Sequence, residues 1–143
     1  DKAYATECYD LVRNLKLDNL IFTGRVDIKE YLKRMDFMIL TSISEGQPLS
    51  VLEAMAAGKA CVTTDVGCCR ELLEGRADDN LGPAGYCVPP TDLSGLADAM
   101  LRMASVEEER LVMGKTAKKR AELYSQYEQR IDQYRQMYKE YVK

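Results

Sequence analysis

Short apolar runs alternate with helical patterns along the chain. Tyr4, Cys8, Leu11, Val12 and Leu15 fall on one face of an opening helix. The run NLIFTG then reads as a buried strand ending at Gly24, and FMILTS, from Phe37 to Ser42, reads as a second. Between them Asp27 is placed to cap a helix carrying Ile28, Tyr31 and Leu32, and so short a connection suits a parallel βαβ crossover. PLSVLEAMAAG follows as a helix with Pro48 at its start and Gly58 at its end, and KACVTTD as the next strand. CRELLEG predicts a short helix, GYCVPP a short strand halted by two prolines, and Asp92 opens a helix through Leu96, Ala99, Met100 and Met103. Two helices close the chain, one over roughly 106–123. The other, YEQRIDQYRQMYKEYVK, places Tyr127, Ile131, Tyr134, Met137, Tyr138 and Tyr141 near one stripe.

Three or four parallel strands alternating with helices make an α/β, Rossmann-like domain, in which ligands bind at the carboxyl ends of the strands. Composition narrows this picture. With 143 residues, 46% apolar and 30% charged, the chain supports one globular core, so 1–143 reads as a single domain. The net charge of −3, without a block of like charges, argues against a nucleic-acid partner. No run approaches the ~20 apolar residues of a membrane span, and the first residues lack a signal-peptide pattern, so a soluble, cytoplasmic domain is expected. Cys8, Cys61, Cys68, Cys69 and Cys87 are an odd set without CxxC spacing, and histidine is absent. A disulfide framework, a Cys/His zinc site and every histidine-based triad are therefore poor fits. The adjacent Cys68 and Cys69 are expected to be buried or partly buried thiols at a helix start.

The segment SISEGQPLSVLEAMAAGKACVTTDVG carries the chemistry. Glu45 stands in a loop just past a strand, and Glu53 lies eight positions on, inside the next helix. Gly46 and Gln47 let backbone approach a ligand. Pro48 starts the helix, whose free amides at Leu49, Ser50 and Val51 form a positive terminus suited to phosphate. Glu53 lies roughly 7 to 8 Å beyond Pro48 at ~1.5 Å per residue, a reach from diphosphate to ribose. Its apolar neighbours Val51, Leu52, Ala54 and Met55 make an unpaired carboxylate costly there, and a ribose would supply its partners. The competing reading is a solvent-facing glutamate.

This pattern, with NLIFTGRVDIKEYLKRMDFMILTS before it and AGYCVPPTDLSGLADAM after it, resembles the retaining GT-B glycosyltransferases of family 4, the group 1 glycosyl transferases. Within them EGQPLSVLEAMAAG, TDVGCCRELLEG and LGPAGYCVPP are most similar to the PelF-type enzymes of Pel exopolysaccharide synthesis, and Gly46-Gln47-Pro48 replaces the more common Gly-Phe-Gly. The resemblance implies that Glu45 is the catalytic-site residue contacting donor-sugar hydroxyls. It implies that Gly46, Gln47, Pro48, Leu49, Ser50 and Val51 hold sugar and diphosphate, that Glu53 binds ribose, and that Gly24, Arg25 and Val26 form the nucleobase pocket. It further implies a nucleotide-diphosphate sugar donor, UDP-glucose, metal-independent transfer without a cofactor, and a membrane-associated polysaccharide synthesis complex as partner. An Arg/Lys pair for the diphosphate, a first strand and an acceptor-binding domain would lie before Asp1. The chain then reads as the carboxy-terminal, donor-binding half, inactive alone. A non-catalytic nucleotide-binding module and a GT-B nucleotide-sugar epimerase remain the alternatives.

Overall fold

A computed structural model describes residues 2–124 and 127–141; the side chains of 127–130 and 133, and the predicted helix end at Val142 and Lys143, lie outside the described residues. Three strands, β1 (Phe37–Leu40), β2 (Ala60–Thr64) and β3 (Gly85–Val88), form a parallel sheet in the order β1-β2-β3. Phe37 aligns with Ala60 and Cys61 with Gly85. All five residues of the central β2 are buried, which is why ACVTT is a continuous rather than alternating run.

The helices sit on both faces. α3 (Leu49–Ala56) connects β1 to β2, and α4 (Cys69–Glu74) connects β2 to β3. Val51, Ala54 and Met55 of α3 and Leu72 and Leu73 of α4 pack in one cluster with Cys61. Ala60 and Val62, pointing the opposite way from β2, pack instead with Met103 of α5 (Leu93–Ser105) and Met113 of α6 (Glu107–Tyr124). A Cβ on Gly114 would stand 2.4 Å from the carbonyl oxygen of Gly58, so only glycine lets α6 lie this close to the turn that ends α3. The sequence-predicted caps hold: Asp27 accepts from the Lys29 amide at 3.0 Å before α2 (Ile28–Arg34), and Asp92 from the Gly95 amide at 2.8 Å before α5.

One predicted strand is absent. Residues 19–24 carry no ladder pairing and are exposed throughout, Ile21 to 81%. A strand needs a ladder partner for its backbone groups, and no described segment supplies one to NLIFTG. The opening helix α1 (Lys2–Asn14) forms as expected yet buries no residue, its link to the segment being an edge-to-face contact of Tyr9 with Phe22 at 4.5 Å. In α7 (Tyr127–Tyr141) Tyr134, Met137, Tyr138 and Tyr141 of the expected stripe face solvent. No described helix is long and apolar enough to cross a membrane.

Candidate functional site

The carboxyl ends of the strands converge on two loops. The first, residues 41–48 between β1 and α3, carries Glu45; the second, residues 65–68, joins β2 to α4. They are fastened to each other: the Cys68 amide donates to the Gly46 carbonyl at 3.0 Å, and the Thr64 hydroxyl donates to the Ser42 carbonyl at 2.6 Å. Gly67 sits in the contact with φ +54°, and a Cβ there would fall 2.1 Å from the Gly46 oxygen and 2.5 Å from that of Glu45. Ser42 in turn donates its hydroxyl proton to Oε1 of Glu45 at 2.7 Å. Glu45 is thus half-buried and oriented at the mouth of the sheet, with its second oxygen unpartnered among the described residues.

Helix α3 begins four residues later. Pro48 is its N-cap, buried and without a side-chain cap hydrogen bond, so the first amides are left for another acceptor. The expected set of free amides needs correction at one end. Val51 is fully buried and its N–H donates to the Pro48 carbonyl at 3.2 Å, which leaves Leu49 and Ser50 as the exposed amides of the terminus. Both side chains are exposed, as is Glu53, and at ~100° per residue positions 49, 50 and 53 share one stripe. The apolar setting expected for Glu53 belongs to its sequence neighbours alone: Val51, Ala54 and Met55 turn inward while Glu53 turns out. Its carboxylate has no partner among the described residues and stands in solvent.

Gly24, Arg25 and Val26 precede α2 and are exposed, Gly24 with φ +62°. No hydrogen bond among the described residues joins them to the Glu45 loop. A cleft of about 260 Å³ is lined by residues of α2, β1 and the start of α3, among them Ile28, Leu32, Met35, Phe37, Ile39 and Ser50. No His/Cys/Asp/Glu group among the described residues is arranged to hold a metal ion.

Beyond the expected residues, an ion-pair chain borders the second loop. Arg70 binds Oδ2 of Asp65 through Nε and Nη2 at 3.0 and 2.7 Å and reaches Glu74 at 2.6 Å. The Arg70 guanidinium holds the Asp65 carboxyl below the ordinary carboxylate value. With two carboxylates on one guanidinium, Arg70 offers no net positive charge to an anion. Sequence alone does not reveal this, since Asp65 and Arg70 meet only because α4 turns back over the end of β2. Cys87 donates its thiol to Asp65 at 3.6 Å, and burial pushes its pKa up to about 11, so it stays protonated at neutral pH. All five cysteines are free thiols, with Cys69 buried and Cys68 half-buried, as the sequence led one to expect.

Residues 2–105 match the family model described as "Glycosyl transferases group 1". The chain belongs to that family. It is 35% identical over 132 residues to the N-acetyl-alpha-D-glucosaminyl L-malate synthase of Bacillus anthracis, covering 90% of this chain and 32% of the relative. It is 30% identical over 95 residues to the UDP-Gal:alpha-D-GlcNAc-diphosphoundecaprenol alpha-1,3-galactosyltransferase of Escherichia coli, covering 66% and 23%. Among solved structures it is similar to sucrose-phosphate synthase from Thermosynechococcus elongatus, with TM-score 0.79 and 25% identity over 96% of this chain and 34% of that one. The fold also matches the C-terminal domain of a glycosyl transferase group 1 family protein from Francisella tularensis, with TM-score 0.64 over 87% of this chain and 63% of that one. The chain spans about a third or less of the curated relatives it matches. Its sheet with flanking helices is therefore a group 1, GT-B type domain, and the strand-end loops that carry Glu45 and Gly67 lie within the matched residues.

Proposed function

We propose that this chain is the donor-binding part of a retaining, metal-independent glycosyltransferase that moves a hexose from UDP-glucose to a growing polysaccharide. The observation that carries the reading is the spatial order of Glu45, the exposed start of α3 and Glu53 at the carboxyl edge of a group 1 transferase sheet. Glu45 binds hydroxyls of the sugar. The Leu49 and Ser50 amides, with the backbone from Gly46 to Pro48, meet the diphosphate, whose charge is favoured by the helix terminus. Glu53, one turn along the same stripe and unpartnered, accepts from the ribose. Gly24 to Val26 take the base, with Arg25 stacked on it. The leaving diphosphate is stabilised by amide dipoles and by basic side chains supplied from the rest of the polypeptide, so no metal is required. Transfer by the isolated chain is not expected.

The sugar is the least constrained element, because relatives are named for N-acetylglucosaminyl and galactosyl transfer and a further one for mannosyl transfer. UDP-glucose and the PelF-type assignment follow from Gly46-Gln47-Pro48 and its flanking segments. Cytoplasmic residence beside a membrane-bound synthesis complex follows from the same assignment.

Two substitutions in the full-length protein test the division of labour. Glu53→Gln is expected to weaken UDP and UDP-glucose alike, about ten- to a hundredfold, since a hydrogen bond to a charged group contributes ~1.5 to 3 kcal/mol. Glu45→Gln should leave UDP affinity within about twofold while lowering transfer about ten- to a hundredfold or more. Calorimetric titration with each ligand, after melts confirm that both variants fold, makes the comparison. Equal weakening of UDP by both would contradict the roles given to them.

A further inference from the structure

Glu45 does not stand alone in its loop. Its Oε1 accepts from the Ser42 hydroxyl at 2.7 Å, and the Ser42 carbonyl accepts from the Thr64 hydroxyl at 2.6 Å. Ser42 and Glu45 are half-buried and Thr64 is 3% exposed, at the last position of the central strand. Each hydroxyl has a single proton to give, so both donors are committed in one direction, from β2 to Ser42 and from Ser42 to Glu45. Thr64 aligns with Val88 of β3 in the sheet, which makes it the most rigid of the three. Ser42 lies just past the end of β1, where backbone leaves the ladder and nothing but this bond fixes its carbonyl among the described interactions.

We propose that Thr64 and Ser42 are positioning residues that hold the Glu45 carboxylate in one orientation, leaving its second oxygen for a donor-sugar hydroxyl. The proposal rests on the reading of Glu45 as the sugar-contacting residue. It assigns to two small hydroxyl residues a part in sugar recognition and none in nucleotide binding. Without the Ser42 proton, the carboxylate of a loop glutamate has several rotamers of similar energy, and only a fraction of molecules would present it correctly to the sugar. Thr64 acts one step further back, through the Ser42 carbonyl.

The test compares Ser42→Ala, Ser42→Thr, Thr64→Val, Thr64→Ser and the double variant Ser42→Ala/Thr64→Val in the full-length protein, with UDP and UDP-glucose as probes. Ser42→Ala should lower kcat/KM for UDP-glucose about tenfold, the size expected for loss of one hydrogen bond to a charged group. Thr64→Val, which removes a bond to a neutral carbonyl, should lower it by a smaller factor of about three to ten. UDP affinity should change less than about twofold in both. Ser42→Thr and Thr64→Ser, which keep the donors, should restore most of the loss. Because the two bonds act in series, the double variant should be no worse than Ser42→Ala alone. A crystal structure of Ser42→Ala gives an arm independent of activity: the Glu45 carboxylate should leave its present position. Glu45→Gln is the control that separates the two readings. If it retains full transfer while Ser42→Ala displaces the carboxylate, the positioning stands and the sugar role of Glu45 fails. If Glu45→Gln abolishes transfer and Ser42→Ala neither moves Glu45 nor alters kcat/KM, or if UDP affinity falls in parallel with transfer, the positioning role is overturned.

Discussion

Arg120→Met is expected to destabilise the chain by about 3 to 5 kcal/mol, the range for removing one partner of a buried ion pair. Arg120 is fully buried on α6, and its guanidinium makes five hydrogen bonds: two to the Asp79 carboxylate, at 2.5 and 3.1 Å, and one each to the carbonyls of Leu72, Leu73 and Gly82. The Leu72 and Leu73 carbonyls belong to the end of α4, and Asp79 and Gly82 to the loop that leads into β3. One side chain therefore ties α6 to the whole connection between the second and third strands. Methionine matches the length but takes the guanidinium from a nearly buried carboxylate, which keeps the Leu81 amide and the Tyr124 hydroxyl. It also withdraws a donor from each of three carbonyls, of which that of Leu73 retains the Ala84 amide. Lysine should recover only part of the loss, since a point ammonium cannot reproduce a planar fork with five donors. Urea denaturation of the three proteins measures the order. Adding Asp79→Leu to Arg120→Met should regain much of the stability, because the uncompensated buried charge accounts for most of the penalty; a double variant as unstable as the single one would refute that account.

The same pair sets an acid limit. Hydrogen bonds from Arg120 hold the Asp79 carboxyl at about 2. A carboxyl whose pKa is depressed on folding contributes stability that is fully present above its unfolded value, near ~4, and is lost as pH falls towards 2. The expected contribution is roughly 2 kcal/mol, at ~1.4 kcal/mol per pKa unit. Stability measured between pH 5 and pH 2 should decline by about that amount more in the native chain than in Asp79→Asn.

Much of this was legible in advance, and the boundary of legibility is physical. Local rules sufficed where one segment contains its own cause. Asp27 and Asp92 cap the helices that follow them, Gly58 ends α3 with φ +74°, and the buried run ACVTT is the central strand. The position of Glu45 beyond β1 and of Glu53 on α3 follows from the same local patterns. What failed needed distant information. NLIFTG has the composition of a strand, but its state depends on a ladder partner that its own residues do not specify. The inward or outward turn of Glu53 depends on which stripe of α3 meets the sheet, and the apolar neighbours that suggested burial are those at other angles around the helix. Arg120 was invisible because an arginine in a helix rich in lysine reads as solvated, and its partners lie 38 to 48 positions away. Ser42 and Thr64 were similarly silent: 22 positions separate them, and the sheet register brings them together.

The second large effect is expected at Gly67, and a comparison with Gly24 isolates its cause. Both glycines have left-handed backbone, φ +54° and +62°, so alanine at either should carry a similar conformational cost of about 1 to 2 kcal/mol. Their surroundings differ. A Cβ on Gly24 would meet nothing within 4 Å, whereas one on Gly67 would lie 2.1 Å from the Gly46 oxygen and 2.5 Å from the Glu45 oxygen. Backbone oxygens cannot swing aside as a side-chain end does, so the 65–68 turn and the Glu45 loop must move apart. That separation breaks the bond from the Cys68 amide to the Gly46 carbonyl and draws Glu45 away from its place over the strand ends. Gly67→Ala is therefore expected to be less stable than Gly24→Ala by a further ~1 to 3 kcal/mol, the cost of overpacking a tight contact. Its amide shifts should be concentrated at residues 42–48 and 65–69. In the full-length protein it should also depress sugar transfer more than Gly24→Ala depresses it, since the displaced loop carries the residue assigned to the sugar. If the two alanine variants unfold at the same urea concentration, or if the shifts in Gly67→Ala spare the Glu45 loop, the close approach does not position Glu45.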